Sequence, residues 1–354
     1  MTDLDDLRAL HAGDPGGMLA TVSALPDDCR AGYQAGLAVR DLPSVDDVTS
    51  IAFCGMGGSA VAGDVVRALY RARLGVPLDV HRSPSLPAYC GPRTLVIASS
   101  YSGTTAETLA CFREAVARGC RIIAISSGGR LASEAAEGGY ALVPVPPGSM
   151  PRAALGHLAL GAVGALQAVG LIPRAAEEVE ETAAELAALV ARLGPELPRS
   201  SNDAKELAWQ IGDRVPVVWG ADGIGAVAAA RWRTQFNENA KIPAWSSSLP
   251  ELDHNEVVGW TQPAGDRFVV IALRHEDEHP DMAVRFSLSL QLAREAGAVT
   301  AEEWAAGRSG LARLFSLILM GDFVSVYTGL LRGVDPTPVT AIERLKAALQ
   351  EAGR

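Results

Sequence analysis

A short β-rich run that enters a glycine loop and restarts as a helix occurs twice in this chain, and that recurrence constrains the fold more than any other feature. Val48 to Cys54 (VTSIAFC) stops at Gly55-Met-Gly-Gly-Ser-Ala60 and continues as a helical stretch from Ala60 to Leu74. Val215 to Trp219 (VPVVW) enters Gly220-Ala-Asp-Gly-Ile-Gly225, which opens a helix running through Arg231 to Glu238. Set side by side, the two look like duplicated halves.

Further strand signals follow the first unit at Leu78 to Arg82, Thr94 to Ser99 (TLVIAS), Arg121 to Ser126 (RIIAIS) and Tyr140 to Val145, with a helix over Thr105 to Arg118. Phe268 to Leu273 repeats the signal in the second half. Strands alternating with helices imply parallel pairing through crossovers, hence α/β architecture with doubly wound parallel sheets. Prolines 144, 146, 147 and 151 close the first block, and an Ala- and Glu-rich stretch from Arg174 to Leu193 reads as a connecting helix. The expected organisation is a helical segment over 1–45, a first α/β domain over 46–170, the connecting helix within 171–205, a second α/β domain over 206–335 and a C-terminal helix over 336–354.

Both units end their first strand in a loop that faces ligands in an open α/β sheet, but the loops differ chemically. The first places Gly58 and Ser59 at a helix start, where free N–H groups favour an anion. The next strand of that half ends in Ser99-Ser-Tyr-Ser-Gly-Thr-Thr105, whose Ser100, Ser102, Thr104 and Thr105 are donors. The second half carries Ile224 and Gly225, and then Arg274-His275-Glu276, at the corresponding places, so only the first half is expected to bind phosphate. Two other readings stand beside this one. The hydroxyls can simply cap helices, and Gly55-x-Gly57-x-x-Ala60 with Asp79 downstream fits a loose dinucleotide fingerprint.

Charge narrows the ligand classes. Lys and Arg total 31 against 41 Asp and Glu, a net −10 that excludes nonspecific nucleic-acid binding as the default. The N-terminus has no basic and apolar leader pattern, and no run approaches the roughly 18 apolar residues of a membrane span, so a cytoplasmic location without membrane partners is expected. Five scattered cysteines without a C-x-x-C pair read as reduced and buried, Cys54 included. His275-Glu-Asp-Glu-His279 reads as a solvated loop rather than a metal site, and no metal or other cofactor is expected.

Taken together, FCGMGGSAVAGD, SSYSGTTAETL, GSMPRAALGHL, RWRTQFNENAKIPAW and LPELDHNEVVGW resemble the bifunctional phosphoglucose/phosphomannose isomerase family of the sugar isomerase (SIS) fold, over nearly the whole chain. The resemblance implies two flavodoxin-like SIS domains. It also implies metal-independent interconversion of an aldose 6-phosphate with fructose 6-phosphate through a cis-enediol. By resemblance, Glu238 moves the proton between carbons 1 and 2, and Arg152 stabilises the enediolate. His254 opens the ring from the neighbouring subunit of a homodimer, and Lys346 assists. Lys346 lies on an amphipathic helix, where a solvated face is an equal reading. Gly58, Ser59, Ser100, Ser102 and Thr105 are the implied phosphate ligands, with Thr104 standing where the family commonly has asparagine. Glu107 and Asp64 read as structural. A noncatalytic SIS-type sugar-phosphate sensor and an NAD-dependent oxidoreductase remain as alternatives. Neither gives Glu238 and His254 an acid–base task.

Overall fold

The computed structural model describes residues 2–352. Three helices lead in: α1 (Leu7–Gly13), α2 (Met18–Ser23) and α3 (Leu25–Leu37). The first sheet then forms from β1 (Ser50–Cys54), β2 (Leu78–His81), β3 (Thr94–Ser100), β4 (Arg121–Ser126) and β5 (Ala141–Pro144), interleaved with α4 (Gly58–Tyr70), α5 (Ala106–Ala117) and α6 (Gly129–Glu137). All pairings are parallel, in the order β2-β1-β3-β4-β5. β3 is buried at every position and β1 at every position after Ser50, because helices cover both faces.

After α7 (Leu155–Ala168), α8 (Ala176–Leu193) and α9 (Asp203–Ile211), a second parallel sheet is built from β6 (Val215–Ala221), β7 (Trp245–Leu249), β8 (Phe268–Arg274) and β9 (Val299–Trp304). Its order is β7-β6-β8-β9, with α10 (Ile224–Gln235) and α11 (Asp281–Glu295) as crossovers. Two parallel sheets from two similar units agree with the duplication in the sequence, the second being one strand smaller. The helix expected to run through Glu238 stays α-helical only to Gln235; Phe236–Ala240 then forms a single π turn, a local widening often found at functional sites.

The centre of the molecule is α12 (Gly310–Leu331), which packs against α8, α9 and α10. It corrects the expectation that no segment approaches a membrane span. An 18-residue window of this 22-residue helix reaches a mean hydropathy of 1.8, and all of that window is buried inside the protein. A helix covered on every side is largely apolar all round, whatever its solvent, and its charged exceptions, Arg313 and Asp322, are ion-paired. α3 and α7 cross closely: a Cβ on Gly36 would meet Gly161 O at 2.2 Å, and one on Gly164 would meet Tyr33 O at 2.3 Å. That crossing fixes the start of α7 and the segment just before it. The five cysteines are free and buried, and hydrogen bonding to Cys111 together with burial pushes the Cys54 thiol up. The last helix, α13 (Thr340–Ala352), leaves Ile342, Leu345 and Leu349 exposed at 42%, 62% and 64%.

Candidate active site

The first sheet ends, at the carboxyl edges of β1 and β3, in two loops that touch. Gly57 takes a positive φ (51°, ψ −130°) to turn the chain sharply into α4. Ser59, in the first turn and buried, accepts a hydrogen bond from Tyr101 N–H at 3.2 Å, which leaves its own proton to donate. In the second loop Ser100 and Thr105 share a hydrogen bond at 2.9 Å, as do Ser102 and Thr104 at 3.1 Å, and Ser100 also accepts from Gly103 N–H. Each hydroxyl pair uses one of its two protons internally and keeps one for a ligand. Gly103 is required here: φ is +64° and a Cβ would sit 1.8 Å from Gly128 O. Neither α4 nor α5 has a side-chain cap, so the capping reading of these hydroxyls does not describe the structure. At the start of α4, Ser59 N–H donates to Met56 O at 3.1 Å and Ala60 N–H to Gly57 O at 3.0 Å, so this loop offers a ligand the Gly58 N–H and the Ser59 hydroxyl. Asp79, the acid of the dinucleotide reading, accepts from Tyr89 Oη at 2.9 Å.

Gly58 brings this cradle against the next component. A Cβ at Gly58 would lie 2.9 Å from Pro151 O and 3.4 Å from Arg152 Cα, so only glycine admits the contact. Arg152 is buried, with 3% of its side chain exposed, and the hydrogen-bond and ion-pair partners of its side chain all lie between residues 238 and 337. Its Nε donates to Asn239 Oδ1 at 2.8 Å, and its Nη2 donates to Pro336 O at 2.7 Å and Thr337 O at 2.9 Å. Its Nη1 stands 3.7 Å from Glu238 Oε2, and Glu238 is 28% exposed at the open side. Burial pulls the Arg152 guanidinium below its usual range, and Glu238 opposes that pull. Thr337 Oγ1 is buried beside this cluster with no protein partner.

The helices explain how residues so distant in sequence meet. α4 and α10 run antiparallel: Arg71 after α4 pairs with Asp222 before α10 at 3.0 Å, while Gly58 at the start of α4 meets the Arg152 that Asn239 holds beyond α10. The amino end of one helix thereby presents the cradle, and the carboxyl end of the other presents Glu238. Behind them, Arg231 Nη2 donates to Arg152 O at 2.6 Å and pairs with Asp322 of α12 at 3.0 Å. Asn239 Nδ2 donates to Ser325 Oγ at 3.0 Å, tying the π turn to α12 as well. Sequence reasoning did not single out Asn239, Lys241, Arg231, Asp322 or the 335–337 segment. One signal was present: Asp322 is an acid inside the apolar run LILMGDFVSV, and a buried acid needs a partner.

The remaining expected residues lie elsewhere within one chain. His254 ends a 3-10 turn (Glu251–His254) directly after β7 and is exposed. Glu238 precedes the amino end of β7, and five residues of strand extend about 17 Å. Among the described residues, His254 makes no hydrogen bond or ion pair to Glu238 or Arg152. Lys346 is exposed on α13 and likewise makes none. Glu107 lies in the first turn of α5, and Asp64 pairs with Arg67 at 3.3 Å and with Arg82. The solvated-loop expectation holds for His279 but not for His275. His279 faces Asp281 at 3.6 Å and is 69% exposed. His275 is buried, with both ring nitrogens unpartnered, because the Arg274–Glu278 ion pair folds the segment over the end of β8; burial pulls it down to about 4. No group of three His, Cys, Asp or Glu positioned for a metal occurs among the described residues.

Comparison with known proteins agrees with this architecture. The profile of the bacterial phospho-glucose isomerase C-terminal SIS domain matches residues 200–349. A bifunctional phosphoglucose/phosphomannose isomerase of Caldicellulosiruptor bescii is 37% identical over 336 residues, covering 94% of this chain and 99% of the relative. One from Aquifex aeolicus is 35% identical over 85% of this chain and 90% of its own. The crystal structure of a glucose-6-phosphate isomerase like protein from Thermus thermophilus superposes with a TM-score of 0.62 at 20% identity, over 98% of this chain and 99% of that one, which speaks to the fold alone. The chain belongs to the bifunctional phosphoglucose/phosphomannose isomerase family.

Proposed function

We propose that the protein interconverts glucose 6-phosphate and mannose 6-phosphate with fructose 6-phosphate, using acid–base groups of its own chain. The observation that carries this reading is the 3.7 Å approach of Glu238 Oε2 to Arg152 Nη1, with the hydroxyl cradle held against Arg152 through Gly58. Phosphate sits among Gly58, Ser59, Ser100, Ser102 and Thr105. The open-chain sugar then extends towards Glu238, which takes the proton from carbon 2. Arg152 stabilises the enediolate, a hydroxyl proton passes between oxygens 1 and 2, and Glu238 returns its proton to carbon 1. Glucose and mannose 6-phosphates differ only at carbon 2, the carbon that becomes planar, so one enediol serves both.

Ring opening belongs to His254 and Lys346, and the reading assigns both to a homodimer with shared sites. Two features support that. His254 and Glu238 flank opposite ends of β7, so one chain does not bring them together. The apolar face of α13, which carries Lys346, is uncovered in a single chain and suits a second copy. A cytoplasmic location is part of the same proposal, supported by five free, buried thiols. The direct test is fructose 6-phosphate formation from each aldose by EDTA-treated protein. Turnover of both is expected, and turnover of neither overturns the proposal.

A further inference from the structure

The π turn that carries Glu238 ends on a residue whose conformation its own backbone does not favour. Lys241 lies in the left-handed region (φ 56°, ψ 36°), one of only two non-glycine residues with positive φ among those described. For an L residue this costs about 1–2 kcal/mol and persists where other contacts dictate it. A glycine would relieve the cost, and what the lysine adds in its place is a side chain with two hydrogen bonds. Its Nζ donates to Glu238 O at 2.6 Å and to Pro336 O at 2.9 Å. Pro336 O is also the acceptor of Arg152 Nη2 at 2.7 Å. The contacts form a ring: the Glu238 carbonyl, the Lys241 ammonium, the Pro336 carbonyl, the Arg152 guanidinium and back to the Glu238 carboxylate. Asn237 Nδ2, donating to Ile242 O at 2.9 Å, steadies the turn from its other side.

We propose that Lys241 is a positioning residue for the isomerisation: its ammonium clips the turn bearing Glu238 to the 335–337 segment that seats Arg152, fixing the carboxylate and the guanidinium relative to each other. This rests on the reading of Glu238 as base and Arg152 as enediolate partner. A plain helix-end role, satisfying one orphan carbonyl, would affect stability but not the separation of the two reacting groups. The clip predicts more, because a misplacement of about 1 Å between such groups costs on the order of 100-fold in turnover. The ammonium is held among Glu238, Arg152 and Asp335; burial, and then Arg152, pull it below the usual lysine range.

The experiment uses the full-length chain, with glucose 6-phosphate kinetics, inhibition by inorganic phosphate and thermal unfolding measured on K241M, K241G, K241R and E238Q. K241M and K241G should each lose about 100-fold in kcat, with KM and phosphate inhibition within about threefold of the parent. K241G should melt no lower than the parent, because it relieves the left-handed strain. K241R, which keeps the charge, should recover to within about tenfold. Parent-like kcat in K241M and K241G with E238Q inactive would overturn the clip and leave the base assignment standing. Loss of folding in K241M and K241R alike would overturn it in favour of a structural cap. Full activity in E238Q would instead remove the reading on which the clip rests.

Discussion

The two sheets use the same backbone device and fill it differently. Gly57 before α4 and Gly223 before α10 both combine a positive φ with a ψ near −130° (φ 51°, ψ −130° and φ 93°, ψ −129°), each turning a strand into a helix. Two residues on, the first half has Ser59 and the second Gly225. At the neighbouring strand end the first half has a hydroxyl loop, while the second has Arg274, paired with Glu278 and Glu302, over a buried His275. The second glycine loop carries Asp222, which is paired with Arg71. The two halves thus share a turn geometry at this strand end, while the hydroxyl donors stand in the first half alone. The second half contributes at its other edge, where the π turn presents Glu238 to the first half's cradle.

This division of labour can be broken most severely at the proton-transfer group. E238Q should lower kcat by about 10³- to 10⁴-fold while inorganic phosphate still inhibits at its ordinary concentration, since the cradle is untouched. Loss of phosphate inhibition in E238Q would mean that the halves are not separable in this way. Next is the joint between them. Asp322→Ala leaves Arg231 buried without its counter-charge and should cost about 3–5 kcal/mol of stability in denaturant unfolding. A change under about 1 kcal/mol would show that the pair does not hold α10 to α12.

At the cradle, Ser59→Ala with Ser102→Ala removes two donors to a dianion and should raise KM by about 10- to 100-fold, with a smaller effect on kcat. The matching change in the second half, Asp222→Ala, should move KM by less than about twofold, since an exposed ion pair contributes little. A comparable rise in both variants would erase the asymmetry between the loops.

Much of the first half was legible because a strand covered on both faces is a continuous apolar run, and β1, β3 and β4 are read to within two residues. β6 and β8 are read equally well, being the central strands of their sheet. β7 (WSSSL) and β9 (VTAEEW) gave no usable signal because their half-exposed edge positions carry Ser, Thr and Glu, whereas β2 and β5, the edges of the first sheet, kept enough Leu and Val to be read. α12 lacked an amphipathic period because it has no solvent face. The hydroxyl loops could be read from residue type and spacing. The meeting of Arg152 with Glu238 could not, since it depends on two helices running antiparallel, and only the family resemblance had put both residues in one site. The π turn and the left-handed Lys241 leave no compositional trace: FNENAK reads as an ordinary helix end.

The central claim is that one site draws on both halves of one chain and on the second half of another, because His254 and Glu238 flank opposite ends of β7. Mixing E238Q protomers with His254→Ala protomers tests it most directly. Each homodimer is defective, but a mixed dimer that shares sites holds one intact site, so an equimolar mixture should recover roughly a quarter of parental activity. No recovery, with subunit exchange demonstrated by differently tagged chains, would contradict the account.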